Sequence, residues 1–125
     1  MDILDTNVIL RFLVGDEPEH QKSAKLWFGE AEKGRRRILI LPLVVAEAVF
    51  VLESFYKKSR AEICEAMEVF LSQRWLIVEE REALLGTFKF YKQGLHFVDS
   101  HLLALARTRG GKVLTFDIKL KKKQV

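Results

Sequence analysis

Four short apolar runs separated by helical patterns constrain this chain more than any other feature. They are Ile3-Leu4, Ile38 to Leu41, Trp75 to Val78 and the segment from Lys112 to Phe116. The runs are too short for buried helices and lack the polar alternation of a half-exposed strand, so they read as strands covered on both faces. Each gap between them holds enough chain for one or two helices. Strand and helix in alternation predict an α/β fold, a three-layer α/β/α sandwich on a mainly parallel sheet of four strands. Right-handed crossovers should join the strands. The 125 residues are expected to form a single domain, 1–125, long enough to bury a substantial core.

The helical segments carry their own start and stop signals. Thr6 and Asn7 offer oxygens to cap a helix over 8–14, and Pro18 suits the first turn of a second helix that Gly34 ends. Pro42 opens a third, apolar on nearly every side to Tyr56, interrupted only by Glu47, Glu53 and Ser54. Ser59 with Glu62 three residues on is a capping box for a fourth, whose buried stripe is Ile63, Ala66, Met67, Phe70 and Leu71. A fifth is predicted over 79–93 despite Gly86 and Thr87, and a sixth over 98–109, stopped by Gly110-Gly111.

Composition excludes several classes. With 49% hydrophobic and 30% charged residues the chain is neither disordered nor fibrous. One cysteine, Cys64, forms no internal disulfide and sits in an amphipathic pattern as a packed residue. The longest apolar stretch, 38–52, is broken by Pro42 and Glu47 and falls short of the roughly 18 residues a membrane span requires. Acids at positions 2 and 5 do not fit a secretory leader, so a cytoplasmic protein with no membrane partner is expected. The net charge of +4 favours an acidic partner such as nucleic acid.

Four acids fall where a parallel sheet builds its ligand site, beyond the carboxyl ends of the strands. Asp5 ends the first strand and Asp117 the fourth; Glu47 opens the helix after the second, and Asp99 the helix before the fourth. Each also has a plain structural reading. Asp5 and Asp117 suit turns, and Asp99 suits a helix N-terminus. Glu47 is the most telling, because Leu43, Val44, Phe50 and Val51 at its helical neighbour positions offer no cation. If buried there, it needs a polar pocket. Two carboxylates about 4 Å apart repel by roughly 4 kcal/mol at an effective dielectric near 20, so a cluster of four calls for a cation. Hard oxygen donors suit Mg²⁺ or Mn²⁺. His20, His96 and His101 show no zinc spacing and read as surface or turn residues.

With these residues assembled, the chain resembles the PIN-domain ribonucleases, and among them the VapC-type toxins of prokaryotic toxin-antitoxin pairs. The resemblance is carried by Ile3-Leu4-Asp5-Thr6-Asn7, Pro42 with Ala46-Glu47, Phe97-Val98-Asp99-Ser100, and Val113-Leu114-Thr115-Phe116-Asp117, in family order. It implies a metal-dependent endoribonuclease cleaving single-stranded RNA, a homodimer, and a small antitoxin as partner. It carries catalysis and the binding of one or two Mg²⁺ or Mn²⁺ ions to Asp5, Glu47, Asp99 and Asp117, with Asn7 and Thr115 lining the site. His96 departs from the family pattern, where an acid is common. Relatives usually continue into a fifth, edge strand, whereas this sequence has the basic segment Lys121 to Val125 there.

Lys119, Lys121 and Lys122, with Lys123, follow Asp117 and are the candidate phosphate contacts, while Arg35 to Arg37 precede a strand and read as solvated surface. Two other readings compete. One is a catalytically degraded PIN-like module that binds RNA or protein without cleaving. The other, an aspartate-nucleophile phosphohydrolase, wants an acid two residues after the first, where this chain has Asn7.

Overall fold

The computed structural model describes Met1 to Gln124. The chain divides into two compact units, Met1–Glu79 and Glu80–Val125.

The first unit holds a parallel sheet, β1 (Asp2–Ile3), β2 (Ile38–Ile40) and β3 (Ile77–Val78), in the order β1-β2-β3. Asp2 pairs with Ile38, and Leu39 with Ile77. Between β1 and β2 run α1 (Thr6–Val14) and α2 (Pro18–Glu32); between β2 and β3 run α3 (Pro42–Ser54) and α4 (Arg60–Leu71). Both crossovers step the same way along the sheet, so right-handed connections put all four helices on one face. The aromatic packing agrees. Phe12 of α1 meets Phe28 of α2 edge-on at 4.8 Å, and Phe28 lies 5.5 Å from Phe70 of α4 and 5.9 Å from Trp75. Such pairs contribute roughly 0.5–1.5 kcal/mol beyond their buried area.

Local signals act as the sequence predicts. Pro18 and Pro42 stand in the first turns of their helices. Gly15 closes α1 in the left-handed conformation, φ 72°. Ser59 and Glu62 form the reciprocal capping box, and Glu62 accepts the Ser59 amide at 3.0 Å. That bond to the Ser59 backbone, with Ser59's side chain behind it, holds the Glu62 carboxyl below its ordinary range. Arg36 is more than solvated surface: it bridges Asp2 at 2.7 Å and Glu30 at 3.2 Å, tying β1 to α2.

The second unit is a helical hairpin, α5 (Arg81–Lys92) and α6 (Phe97–Thr108), followed by a short α7 (Ile118–Lys122). Glu80 caps α5 with left-handed backbone, φ 58°, and its carboxylate pairs with Arg109. Gly86 and Thr87 do not break α5. A Cβ at Gly86 would meet that of Ala104 at an ordinary 3.6 Å, and Thr87 bonds back to the Ala83 carbonyl at 2.7 Å. Phe88, Phe90 and Tyr91 are buried, and Phe97 packs against both Phe88 and Tyr91.

The described ladders join three strands, and Lys112 to Phe116 is not one of them. The backbone of Val113 bonds instead to the Gln124 side chain, whose oxygen accepts its N–H at 2.7 Å and whose amide donates to its carbonyl at 3.0 Å. Leu114 and Phe116 stand 97% and 100% exposed. The basic C-terminal segment, where relatives usually continue into a fifth strand, is helical through Lys122. It forms α7, docked by Leu120 against Phe90, Leu103 and Ala104.

Candidate active site

Asp5 takes the N-cap position of α1, with extended backbone at φ −86° and ψ 150°. Thr6 and Asn7, expected as caps, are instead the first two helical residues, Thr6 buried and Asn7 exposed. The Asp5 side chain makes no capping hydrogen bond; its backbone carbonyl accepts Val8 N–H at 3.1 Å instead. The carboxylate is exposed and lines a cavity of about 270 Å³ with Val8, Trp27 and Arg36.

Glu47 also belongs to the first unit but does not sit as its sequence neighbours suggest. It is exposed, on the same face of α3 as Leu43 and Phe50, which are 77% and 67% exposed. The desolvation argument for a buried Glu47 therefore falls. Its carboxylate is open to solvent, and the unusual feature is the apolar pair flanking it.

In the second unit the structure brings two of the acids together. Asp99, half-buried in the first turn of α6, and Asp117 line one cavity of about 640 Å³. The Gln93 to His96 turn and Lys119, Lys122 and Lys123 line the same cavity. Positions 119, 122 and 123 share one face of α7, which is why Lys123 joins this wall in place of Lys121. Lys123 donates to Gln93 Oε1 at 3.2 Å across it.

Asp117 is committed to the fold as well. Its carboxylate accepts Leu120 N–H at 2.9 Å and caps α7, while its own N–H donates to Thr115 Oγ1 at 3.0 Å. Thr115 thus shapes the corner that aims Asp117. Among the described residues no three or more His, Cys, Asp or Glu side chains gather into a metal-binding group. Asp5 and Glu47 belong to the first unit, Asp99 and Asp117 to the second.

Sequence reasoning misplaced one residue of this unit. His101 is half-buried rather than a surface residue, its Nδ1 3.1 Å from Thr87 Oγ1. The Thr87 hydroxyl proton is already given to Ala83, so Nδ1 is the donor in that contact. Burial lowers the His101 pKa from its ordinary 6.5, against a weaker upward pull from Glu80.

The family model of the PIN domain matches residues 3–125. The chain belongs to the PIN domain family. It is also similar to the VapC ribonuclease of Aquifex aeolicus (strain VF5), at 32% identity over 125 residues, 98% of this chain and 91% of that protein. No solved structure gave a significant match. PIN-domain membership agrees with the parallel α/β sheet, and no helix among the described residues is long and apolar enough to cross a membrane.

Proposed function

We propose that this PIN domain is a metal-dependent endoribonuclease, the toxin of a toxin-antitoxin pair, hydrolysing phosphodiester bonds of single-stranded RNA in the cytoplasm. One observation carries most of the reading. Asp99 and Asp117 share a cavity with three lysines, so carboxylates for a cation and ammonium groups for phosphates face one space. The match to a VapC ribonuclease along nearly the whole chain supports the same reading. A homodimer of single domains, 1–125, and a small protein antitoxin are the partners this proposal includes.

The donor set fits a hard divalent cation. All four candidate ligands, Asp5, Glu47, Asp99 and Asp117, present carboxylate oxygen, and Asp5 and Glu47 are open to solvent. These four would hold one or two Mg²⁺ or Mn²⁺ ions, and the bound metal supplies Lewis-acid polarisation of the phosphate and activation of water. The protein's own part is positioning. Lys119 and Lys122, with Lys123, hold backbone phosphates beside Asp99 and Asp117. Thr115 fixes the Asp117 corner, and Asn7 presents a polar amide two residues beyond the Asp5 cap. The ribose 2′-hydroxyl takes no part, so products carry 5′-phosphate and 3′-hydroxyl ends.

The test is end-group analysis of single-stranded RNA incubated with the purified protein and Mn²⁺. Products with 5′-phosphates support the reading, and 2′,3′-cyclic phosphates exclude it. In parallel, Asp99→Asn should bind Mn²⁺ more weakly than the parent; equal affinity would remove Asp99 from the ligand set.

A further inference from the structure

The helices α1 and α2 line an open cavity of about 280 Å³ whose residues, Asn7 apart, the proposed reaction leaves without a role. Its walls are Asn7, Val8 and Arg11 on one helix and His20, Ser23 and Trp27 on the other. Residues 20, 23 and 27 fall on one face of α2, and 7, 8 and 11 on one face of α1, so two helix surfaces meet here in register. Trp27 is 39% exposed. A ring of that size left partly in water at the mouth of a cavity is a flat apolar platform. Trp27 and Val8 also line the neighbouring cavity that contains Asp5, so the two spaces share a wall.

The charges in this cavity select against a phosphate. The Arg11 guanidinium lies 3.4 Å from Asp16 and 3.1 Å from Glu17 and donates to the Tyr56 hydroxyl at 3.2 Å. That hydroxyl donates in turn to Asp16 at 2.9 Å. Two carboxylates therefore face one guanidinium, and Glu17 is also 3.7 Å from His20. No net positive charge remains for a backbone phosphate. An aromatic platform, an amide, a hydroxyl and an imidazole remain, which is the chemistry that stacks an unpaired base and hydrogen-bonds its edge.

We propose that the α1–α2 cavity is a nucleobase subsite, in which one unpaired base of the RNA stacks on Trp27 and is hydrogen-bonded at its edge by Asn7, Ser23 and His20. The proposal rests on the ribonuclease reading and adds to it a site for base recognition, distinct from the lysine-lined phosphate cavity.

Binding is measured in the Asp5→Asn background, where cleavage is silenced, using oligouridylate, oligoadenylate and an abasic ribose-phosphate strand of equal length. Adding Trp27→Ala should weaken binding of at least one base-bearing strand by roughly 5- to 100-fold, the range for loss of one base stack. It should leave the abasic strand unaffected. Trp27→Phe should recover most of the lost affinity, and the melting temperatures of the variants control for folding. Unchanged affinity for both oligonucleotides overturns the subsite, as does an equal loss on the abasic strand. Unchanged RNA affinity with an altered oligomeric mass places a protein interface at Trp27 and also overturns it. Cleavage by the parent protein keeps the two claims separate: a parent that does not cleave sinks the ribonuclease reading, whereas a cleaving parent with Trp27-insensitive binding sinks the subsite alone.

Discussion

Asp5 and Asp117 occupy the same kind of corner, where extended chain turns into helix, and use their carboxylates differently. Asp117 caps α7 through its side chain, and Thr115 braces the turn from behind. Asp5 stands at the same N-cap position of α1 and makes no such bond. The helices they open explain the contrast. The five residues of α7 bury only Leu120, so a side-chain cap contributes a large share of what holds it. The nine residues of α1 bury Thr6, Ile9 and Leu10, so packing holds that helix without a cap. A carboxylate released from structural duty is available for chemistry; in the proposed reaction, one that caps a short basic helix would have to do both jobs.

The sharpest way to break this comparison is at Asp117. Asp117→Ala should lower RNA cleavage by on the order of 10²-fold or more, since even residues behind a metal ligand contribute 10- to 100-fold. It should also cost about 1 kcal/mol of stability through loss of the cap. Asp117→Asn, which keeps a good capping side chain, should restore the melting temperature and leave cleavage as poor as in the alanine variant. If Asp117→Asn cleaves like the parent, Asp117 is a cap alone.

A smaller effect tests whether the Asp117 corner works through the helix it caps. Removing Lys122 or Lys123 should weaken single-stranded RNA binding and reduce the slope of log affinity against log salt by about 0.7 per lysine. Lys121→Ala, off the cavity face, should keep the parent slope. Fluorescence anisotropy across a salt series reads both, and a Lys121 effect equal to that of Lys122 would show a diffuse charge rather than a directed face.

The smallest effect separates α7 from the helices it docks on. His101 has its folded-state pKa below the ordinary 6.5 because burial favours the neutral ring. Its contribution to stability is therefore complete above that value and is lost as pH falls through the lower, folded-state one. Melts from pH 7.5 downward should lose stability below about 6.5, where the unfolded chain takes up the proton first, and His101→Gln should flatten that part of the curve. Because Asp117 caps another helix, Asp117→Ala should leave the slope in this range intact.

Sequence made some of this legible and hid the rest for physical reasons. The parallel α/β sheet, the proline-led helices and the Ser59 box follow from local chemistry, and all are present. The start of α1 was misplaced because Thr6 and Asn7 are good capping residues in isolation, yet tertiary packing buries Thr6 as the first helical residue. Glu47 was misread for a related reason. A helix that is apolar on nearly all sides has no periodicity, so its sequence cannot say which face meets water. Lys112 to Phe116 has the composition of a strand, and what its sequence does not reveal is that the Val113 backbone bonds to the Gln124 side chain. The signal for α7 was present in Asp117 followed by Leu120, a cap with a buried residue three positions on, and was masked by the surrounding lysines.

Asp5→Asn tests the central claim most directly, with thermal melting and RNA cleavage measured on the same preparation. The account predicts a melting temperature equal to or slightly above that of the parent, because no capping bond is lost, together with cleavage reduced by on the order of 10²-fold or more. A variant that melts clearly lower while cleaving RNA at the parent rate would show Asp5 to be a structural residue and contradict the account.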